Sequence, residues 1–247
     1  MELLPYAVIL IAGLALGTLS GISGGGGGFV MIPLLIFIGL PPQVAVATGK
    51  MNGLGGTFGG LAAFAKTGLI RKDIVRIMIP IAIVIGLVAP LVFSAINPEA
   101  FQSILGFLLL ALAPTLFLRR RKTNKIIKER RVLGFSAYGS VLSLQAVFGS
   151  GVGTLAVFVL TLLFGTSKLE ANATKRAVNA VLTPVTFVSL LISGYVSITH
   201  GLVGMIAAFI GANFGSKIAI SKGEQFATYA LAVITVFSAI ILIFTAH

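Results

Sequence analysis

Charged residues, proline and glycine divide this chain into ten apolar segments, most of them long enough to cross a membrane as a helix. Of the 247 residues, 57% are hydrophobic and only 10% are charged. Soluble proteins carry about 25% charged residues, so a soluble fold is excluded. We predict an all-α, multi-pass integral membrane protein of the cell inner membrane. Its segments are 5–22, 28–39, 44–66, 74–96, 99–118, 132–148, 153–165, 170–193, 199–219 and 224–244.

Two of these segments, 28–39 and 153–165, are too short to span a bilayer. At 1.5 Å per residue, a dozen residues make a helix of only ~18 Å. Each short segment follows a glycine-rich stretch, 24–28 in the first case and 149–153 in the second. Short, glycine-interrupted segments at corresponding places in two halves are typical of the broken helices around a transporter's binding site.

The two halves align without a gap at a fixed offset of 126 residues, which indicates an internal repeat. Under this offset Lys50 falls on Arg176. The identical pairs include glycines that end or interrupt segments and an Ala-x-Ala-Thr run, which makes chance agreement a poor explanation. The identities are Gly25/Gly151, Gly27/Gly153, Leu34/Leu160, Gly39/Gly165, Ala45/Ala171, Ala47/Ala173, Thr48/Thr174, Thr57/Thr183 and Gly68/Gly194.

Basic residues predict how the two halves are oriented. The loop 119–131 carries eight lysines and arginines, so it is predicted to be cytoplasmic and to lie against anionic lipid. Arg71 and Lys72 follow the turn at Gly68, but no basic residue follows the equivalent turn at Gly194. Equivalent turns therefore face opposite sides, and we predict two inverted-topology repeats of about five helical segments each. The predicted units are a first repeat (1–118), the basic loop (119–131) and a second repeat (132–247).

The composition excludes several classes of site. Without cysteine, and with His200 and His247 as the only histidines, no metal site is expected. None of the six acidic residues lies at the middle of a predicted segment, so a membrane-embedded enzyme lacks its acid and base. The basic residues cluster in one loop, which does not support nucleic-acid binding. The sequence leaves open a coupling ion (H⁺ or Na⁺), the oligomeric state (including a homo-oligomer) and full crossing or re-entry of the short segments.

Three cations inside apolar segments are the strongest functional signal. Lys50 lies in 44–66, and Lys175 and Arg176 lie in 170–193. A cation at the centre of a membrane helix costs about 2.5–3.5 kcal/mol, so it is expected to face a polar cavity or a partner. Glu170 is six residues from Arg176, too far for a pair on one helix face. A bound anion is therefore predicted to supply the counter-charge, with snorkelling of these side chains as the alternative.

Neighbouring residues complete the predicted substrate site. Thr48 and Asn52 share a helix face and are predicted, with Thr174 and Asn179, to donate hydrogen bonds to an oxyanion. Backbone N–H groups of the glycine-rich stretches, at the start of short helices, favour anions in the same way. Hinges or close helix packing are equally consistent with these glycines. The predicted glycines are Gly25, Gly26, Gly27, Gly151 and Gly153.

These runs resemble the sulfite exporter TauE/SafE family over essentially the whole chain. The resemblance rests on the stretch 24–29, the run 39–50 and the run 171–179. Gly49 departs from the family's usual asparagine, and Arg176 stands where the family has lysine. The resemblance implies export of sulfite or a related sulfur-containing or organosulfonate anion.

The predicted function is therefore a secondary transporter that binds a small anion between Lys50 and Arg176 and works by alternating access. No cofactor is expected. Two alternatives stay open: an anion channel lined by the same cations, and a carrier of a different small organic anion.

Overall fold

The computed structural model describes residues 3–25, 27–95, 131–149 and 152–245, and this part of the chain is helical without any strand. The prediction of an all-α protein is confirmed, and the helix limits lie within about two residues of most predicted segments. Segment 99–118 and nearly all of the basic loop 119–131 lie outside the described residues. The helices are α1 (Leu4–Ser23), α2 (Gly27–Phe37), α3 (Pro42–Phe64), α4 (Lys72–Ala95), α5 (Arg131–Phe148), α6 (Gly153–Leu163), α7 (Lys168–Ile192) and α8 (Ile198–Thr245).

Within the described ranges, four helices are long and apolar enough to cross a membrane: α1, α4, α7 and the part of α8 up to Gly223. The last two predicted segments are joined in α8, but Gly223 breaks the helix with φ 80° and ψ −175°. Large apolar side chains on α4, among them Val84, Leu87 and Leu91, are exposed. Lipid chains would cover such a face, as expected of an integral membrane protein.

The two short helices form where predicted. Helices α2 and α6 have 11 residues each, or about 16 Å of helix, roughly half of a ~30 Å hydrocarbon core. Gly24 ends α1 with φ 84°, and Gly149 follows α5 with φ 97°. These are left-handed conformations that glycine adopts without strain. Each long helix therefore stops next to a glycine, and a short helix begins within five residues of that stop.

Helices of each half pack against helices of the other half. In the first half, α1 packs against α8 of the second half, and the equivalent α5 packs against α4 of the first. Likewise α3 contacts α8, its equivalent α7 contacts α4, and α3 and α7 contact each other. This reciprocal packing is what a two-fold relation between the halves would produce. Their opposite orientation across the membrane, and the three-part division of the chain, stay predictions.

Glycines bring the helices into backbone contact. A Cβ on Gly17 of α1 would collide with the backbone of Ala208 on α8, and one on Gly215 of α8 would collide with the backbone of Thr18. On α3, Gly55 and Gly59 lie in the same way against the backbones of Met205 and Phe209. Small residues four apart permit this packing where lipid offers no hydrophobic drive between helices. These four glycines therefore serve close packing between helices.

Candidate functional site

Helices α3 and α7 carry the three predicted cations into the interior. Lys50, Lys175 and Arg176 are each at most 6% exposed. Because α3 and α7 are the equivalent helices of the two halves and contact each other, all three cations lie near the interface between the halves. Each side chain reaches across to the end of a broken helix of the opposite half.

Lys50 binds the carboxyl end of α5. Its Nζ donates to the carbonyl oxygens of Gln145 at 2.6 Å and Ala146 at 2.7 Å. The last carbonyls of a helix have no partner within it and carry the negative end of the helix dipole. Lys50 therefore donates to the last carbonyls of α5 at the point where the helix stops, and the carbonyl of Gln145 also accepts the N–H of Gly149 at 3.0 Å.

Arg176 and Lys175 do the same at the carboxyl end of α1. Nη2 of Arg176 donates to the carbonyl oxygen of Ser20 at 2.8 Å, and Lys175 donates to the carbonyl of Gly24. The guanidinium also donates through Nε to Asn172 Oδ1 at 2.9 Å and through Nη1 to the carbonyl of Gly56. Three nitrogens of Arg176 thus hold three different partners.

Carbonyls stabilise these cations but do not neutralise them. Within the described residues the ion pair is Arg71–Asp73 at 2.8 Å, on an exposed turn. Glu170 accepts the backbone N–H of Ser167 at 2.7 Å in a capping box at the start of α7. The buried positive charge near the interface therefore lacks a carboxylate partner in the described part of the chain, and it favours an anion.

A cavity of about 40 Å³ opens beside Arg176, and we name it the Arg176 cavity. It is bounded by α1, α3, α5, α7 and α8 and by the first turn of α2. Gly27 and Gly28 in that first turn line the cavity, and the first N–H groups of a helix have no carbonyl partner within that helix. The lining residues are Leu16, Gly17, Ser20, Gly25, Gly27, Gly28, Asn52, Gly53, Gly56, Thr57, Gln145, Lys175, Arg176, Asn179 and Ala208.

Three buried amide side chains line the Arg176 cavity with an oxygen that has no hydrogen-bond partner. They belong to Asn52, Gln145 and Asn179, and Asn179 is only 3% exposed. Oxygen and nitrogen of an amide are interchangeable by a flip, so each group can present either a donor or an acceptor. Unsatisfied buried polar groups are rare, and here they surround a space that a polar ligand could occupy.

A second, smaller cavity of about 10 Å³ lies beside Lys50, and we name it the Lys50 cavity. Gly53 and Gln145 line both cavities, so only a thin layer of residues separates them. The structure therefore brings Lys175, Arg176, Asn52, Asn179, Gly25 and Gly27 around one space and places Lys50 at another. The residues that line the Lys50 cavity are Lys50, Gly53, Gln145, Ala146, Leu182, Thr183 and Thr186.

The glycine-rich stretches meet at the interface. A Cβ on Gly25 would collide with Thr154 and Gly153 of the other half, and one on Gly153 would collide with Lys175. Glycine at these two positions thus permits both the crossing of the broken helices and the approach of the lysine. The predicted residues Gly26 and Gly151 lie outside the described residues.

The two predicted threonines accept backbone N–H groups at the starts of two helices. Thr48 Oγ1 accepts the backbone N–H of Ser197 at 3.0 Å, and Thr174 Oγ1 accepts that of Arg71 at 3.0 Å. Residues 71 and 197 are themselves 126 apart and precede α4 and α8, so the repeat extends to this pair of contacts. Each hydroxyl keeps its own proton, and donation to a substrate stays a prediction for both threonines.

Replacing either threonine with valine is expected to lower the free energy of unfolding by about 1–2 kcal/mol, because an N–H at a helix start loses its acceptor. Thermal unfolding of purified Thr48→Val and Thr174→Val in detergent measures the effect. Thr161→Val is the control, since that hydroxyl only donates to the carbonyl of Val157 in its own helix. Equal unfolding temperatures for all three variants would contradict the capping role.

Sequence reasoning missed that the cations bind helix ends. The signal was present, because two helices that stop at glycine must leave carbonyls without partners. Sequence reasoning considered Gln145 as an anion donor or a packing residue, but not as a residue that lines both cavities. The described residues contain no cluster of three or more His, Cys, Asp or Glu side chains that could hold a metal ion.

Comparison with known proteins places the chain among membrane transporters. The model of the family described as sulfite exporter TauE/SafE matches residues 9–242. A probable membrane transporter protein of Haemophilus influenzae is 26% identical over 224 residues, covering 88% of this chain and 86% of the relative. The probable membrane transporter protein ORF9 of Sinorhizobium sp is 28% identical over 241 residues, covering 95% and 90%. No solved structure matches the chain significantly.

Proposed function

Since the chain belongs to the sulfite exporter TauE/SafE family, we propose that it is a secondary exporter of sulfite or a related small sulfur-containing oxyanion across the inner membrane. The family, the relatives and the apolar helices establish a membrane transporter. The substrate, the exporting direction and the mechanism are the proposal.

The observation that carries the proposal is the Arg176 cavity. Two cations, Lys175 and Arg176, line it, and none of its lining residues is acidic. An ion enclosed at the middle of a membrane protein needs opposite charge and hydrogen bonds in place of its water. A compact anion is the ligand that such a lining favours.

The remaining donors suit an oxyanion. A guanidinium has five N–H groups and an ammonium has three. Arg176 donates three of its N–H groups to protein acceptors, and Lys175 donates one. Two N–H groups of each side chain therefore remain for a ligand. The first-turn N–H groups of Gly27 and Gly28 and the amide of Asn179 add neutral donors. Several oxygens of one anion would therefore find partners at once.

Transport in this proposal uses the packing of the halves. The cavity lies between broken helices, where the backbone can change direction without disrupting a long helix. Rocking of one half against the other would open the cavity to each side in turn. Lys175 and Arg176 lie on α7 and bind carbonyls of α1, so ligand binding and the contact between the halves involve the same side chains.

Trans-stimulated uptake tests the proposal. Proteoliposomes loaded with excess unlabelled sulfite should accumulate radiolabelled sulfite several times faster than empty ones, because a carrier returns loaded more readily than empty. A channel would show no such acceleration. Thiosulfate, methanesulfonate and acetate in the same assay separate sulfur oxyanions from a general organic anion carrier. Uptake of acetate without sulfite would overturn the proposed substrate class.

A further inference from the structure

The two cavities at the interface are equivalent places in the two halves. Lys50 takes the place of Arg176 under the 126-residue offset, and their hydrogen bonds correspond as well. Lys50 donates to the carbonyl of Ala146 at 2.7 Å, and Arg176 donates to that of Ser20 at 2.8 Å. The paired lining residues are Lys50/Arg176, Gly53/Asn179, Ala146/Ser20, Leu182/Gly56 and Thr183/Thr57.

One pair explains why the cavities differ in size. Gly56 lines the Arg176 cavity, and a Cβ built there meets no heavy atom within 4 Å. Its equivalent, Leu182, is 1% exposed and lines the Lys50 cavity with a full aliphatic side chain. The space that is empty beyond Gly56 is therefore filled by leucine in the other half.

A second pair of equivalent residues, Gly60 and Thr186, also leaves more space beside Arg176 than beside Lys50. Gly60 lies directly against the guanidinium of Arg176, so that a side chain there would displace the arginine. Its equivalent, Thr186, lines the Lys50 cavity and donates its hydroxyl to the carbonyl of Leu182 at 2.8 Å. Glycine at 60 thus makes room for the larger cation, and threonine at 186 does not.

The volumes decide what each cavity can hold. A buried water needs roughly 10–15 Å³ of such space. The Lys50 cavity, at about 10 Å³, admits at most one water, whereas the Arg176 cavity, at about 40 Å³, has space for about three. Only the Arg176 cavity is large enough for a small polyatomic anion.

We infer that the repeat built two anion sites of which one is closed: substrate binds in the Arg176 cavity alone, and Gly56 sets the size of anion that this cavity accepts. The inference rests on the proposed function and adds the residue that controls it. Lys50, despite its symmetry with Arg176, holds the end of α5 beside a closed space. Compact inorganic oxyanions are the class that fits, and bulkier organosulfonates are excluded.

Gly56→Leu tests the inference by placing in the open cavity the residue that closes the other one. Sulfite uptake should fall by roughly 30-fold or more, since a filled site excludes the ligand outright while the backbone carbonyl that binds Arg176 is retained. Gly139→Leu is the matched control. That glycine lies on α5, lines neither cavity, and its Cβ also meets no atom within 4 Å. Elution volume and unfolding temperature in detergent establish that both variants fold.

A second pair of variants compares the cavities directly. Thr57→Val and Thr183→Val remove the same hydroxyl at equivalent positions, one in each cavity. The KM for sulfite should rise about 3- to 10-fold in Thr57→Val and stay unchanged in Thr183→Val, because one hydrogen bond to ligand is lost only in the first.

The outcomes separate the inference from the proposed function. If the native protein transports sulfite and Gly56→Leu transports it equally well, the assignment of the Arg176 cavity is wrong while the function stands. A KM that rises in Thr183→Val alone would move the site to the Lys50 cavity. If the native protein carries no anion of the panel, the proposed function itself fails, and the inference fails with it.

Discussion

Arg176→Ala is expected to reduce sulfite uptake by roughly 100-fold or more, the largest effect on transport that we predict. The substitution removes the charge that lines the Arg176 cavity and the two N–H groups left for a ligand. It also removes the donors to Ser20, Gly56 and Asn172. The loss therefore combines weaker anion binding with a looser contact between α7 and α1.

Arg176→Lys separates these two contributions. Lysine stands at the equivalent position 50 of this chain, so the change keeps the charge and a residue type that the repeat tolerates. An ammonium offers a point charge where guanidinium offers a planar fork, so we expect the KM for sulfite to rise about 10-fold while some transport remains. Initial rates over a range of sulfite concentrations give KM and the maximal rate.

Two results would contradict this role for Arg176. One is a native KM in folded Arg176→Ala, which would remove the arginine from the site. The other is an Arg176→Lys variant as inactive as the alanine variant although its unfolding temperature is native. Charge would then contribute nothing, and only the shape of the guanidinium would matter. Size-exclusion profiles in detergent establish the folded fraction for each variant before rates are compared.

The apolar runs, and the charged residues, prolines and glycines that separate them, were sufficient to predict the helices. Apolar runs bounded by charge and glycine predicted the limits of α1 to α4 and of α5 to α7 closely. A segment in lipid must make all its backbone hydrogen bonds within itself, so an apolar run of that length has few alternatives to a helix. The turn predicted between the last two segments coincides with Gly223, where non-helical φ and ψ angles break α8. The buried cations were also visible, since charges within apolar runs are rare.

The partners of those cations could not be predicted. Lys50 was expected to face a bound anion, yet two of its donors reach the carbonyls of residues 145 and 146. These residues are 95 and 96 positions away in the sequence, and only the tertiary fold brings them within reach of Lys50. The same holds for the open space beyond Gly56, which depends on what the opposite helices leave unfilled. Repeat symmetry predicted which positions are equivalent, but not which of the two cavities stays open.

Lys50→Met is expected to lower the unfolding temperature in detergent by roughly 5–10 °C, the largest effect on stability that we predict. The carbonyl of Ala146 loses its donor, at about 1–3 kcal/mol for a buried group left unsatisfied, while the carbonyl of Gln145 loses a charge-assisted hydrogen bond but keeps the N–H of Gly149. The cavity there admits at most one water to replace the ammonium. Relief from burying a charge offsets part of this cost, so the net loss is smaller than the sum.

The same variant decides between two roles for Lys50. If it holds α5 and the substrate binds beside Arg176, the folded fraction of Lys50→Met keeps the native KM for sulfite despite its lower stability. Lys66→Met is the matched control, since that lysine is exposed just after the end of α3, and it should change neither quantity. A native unfolding temperature combined with lost uptake would instead place Lys50 in the substrate site, because a residue needed only by the bound anion leaves the empty protein's stability unchanged.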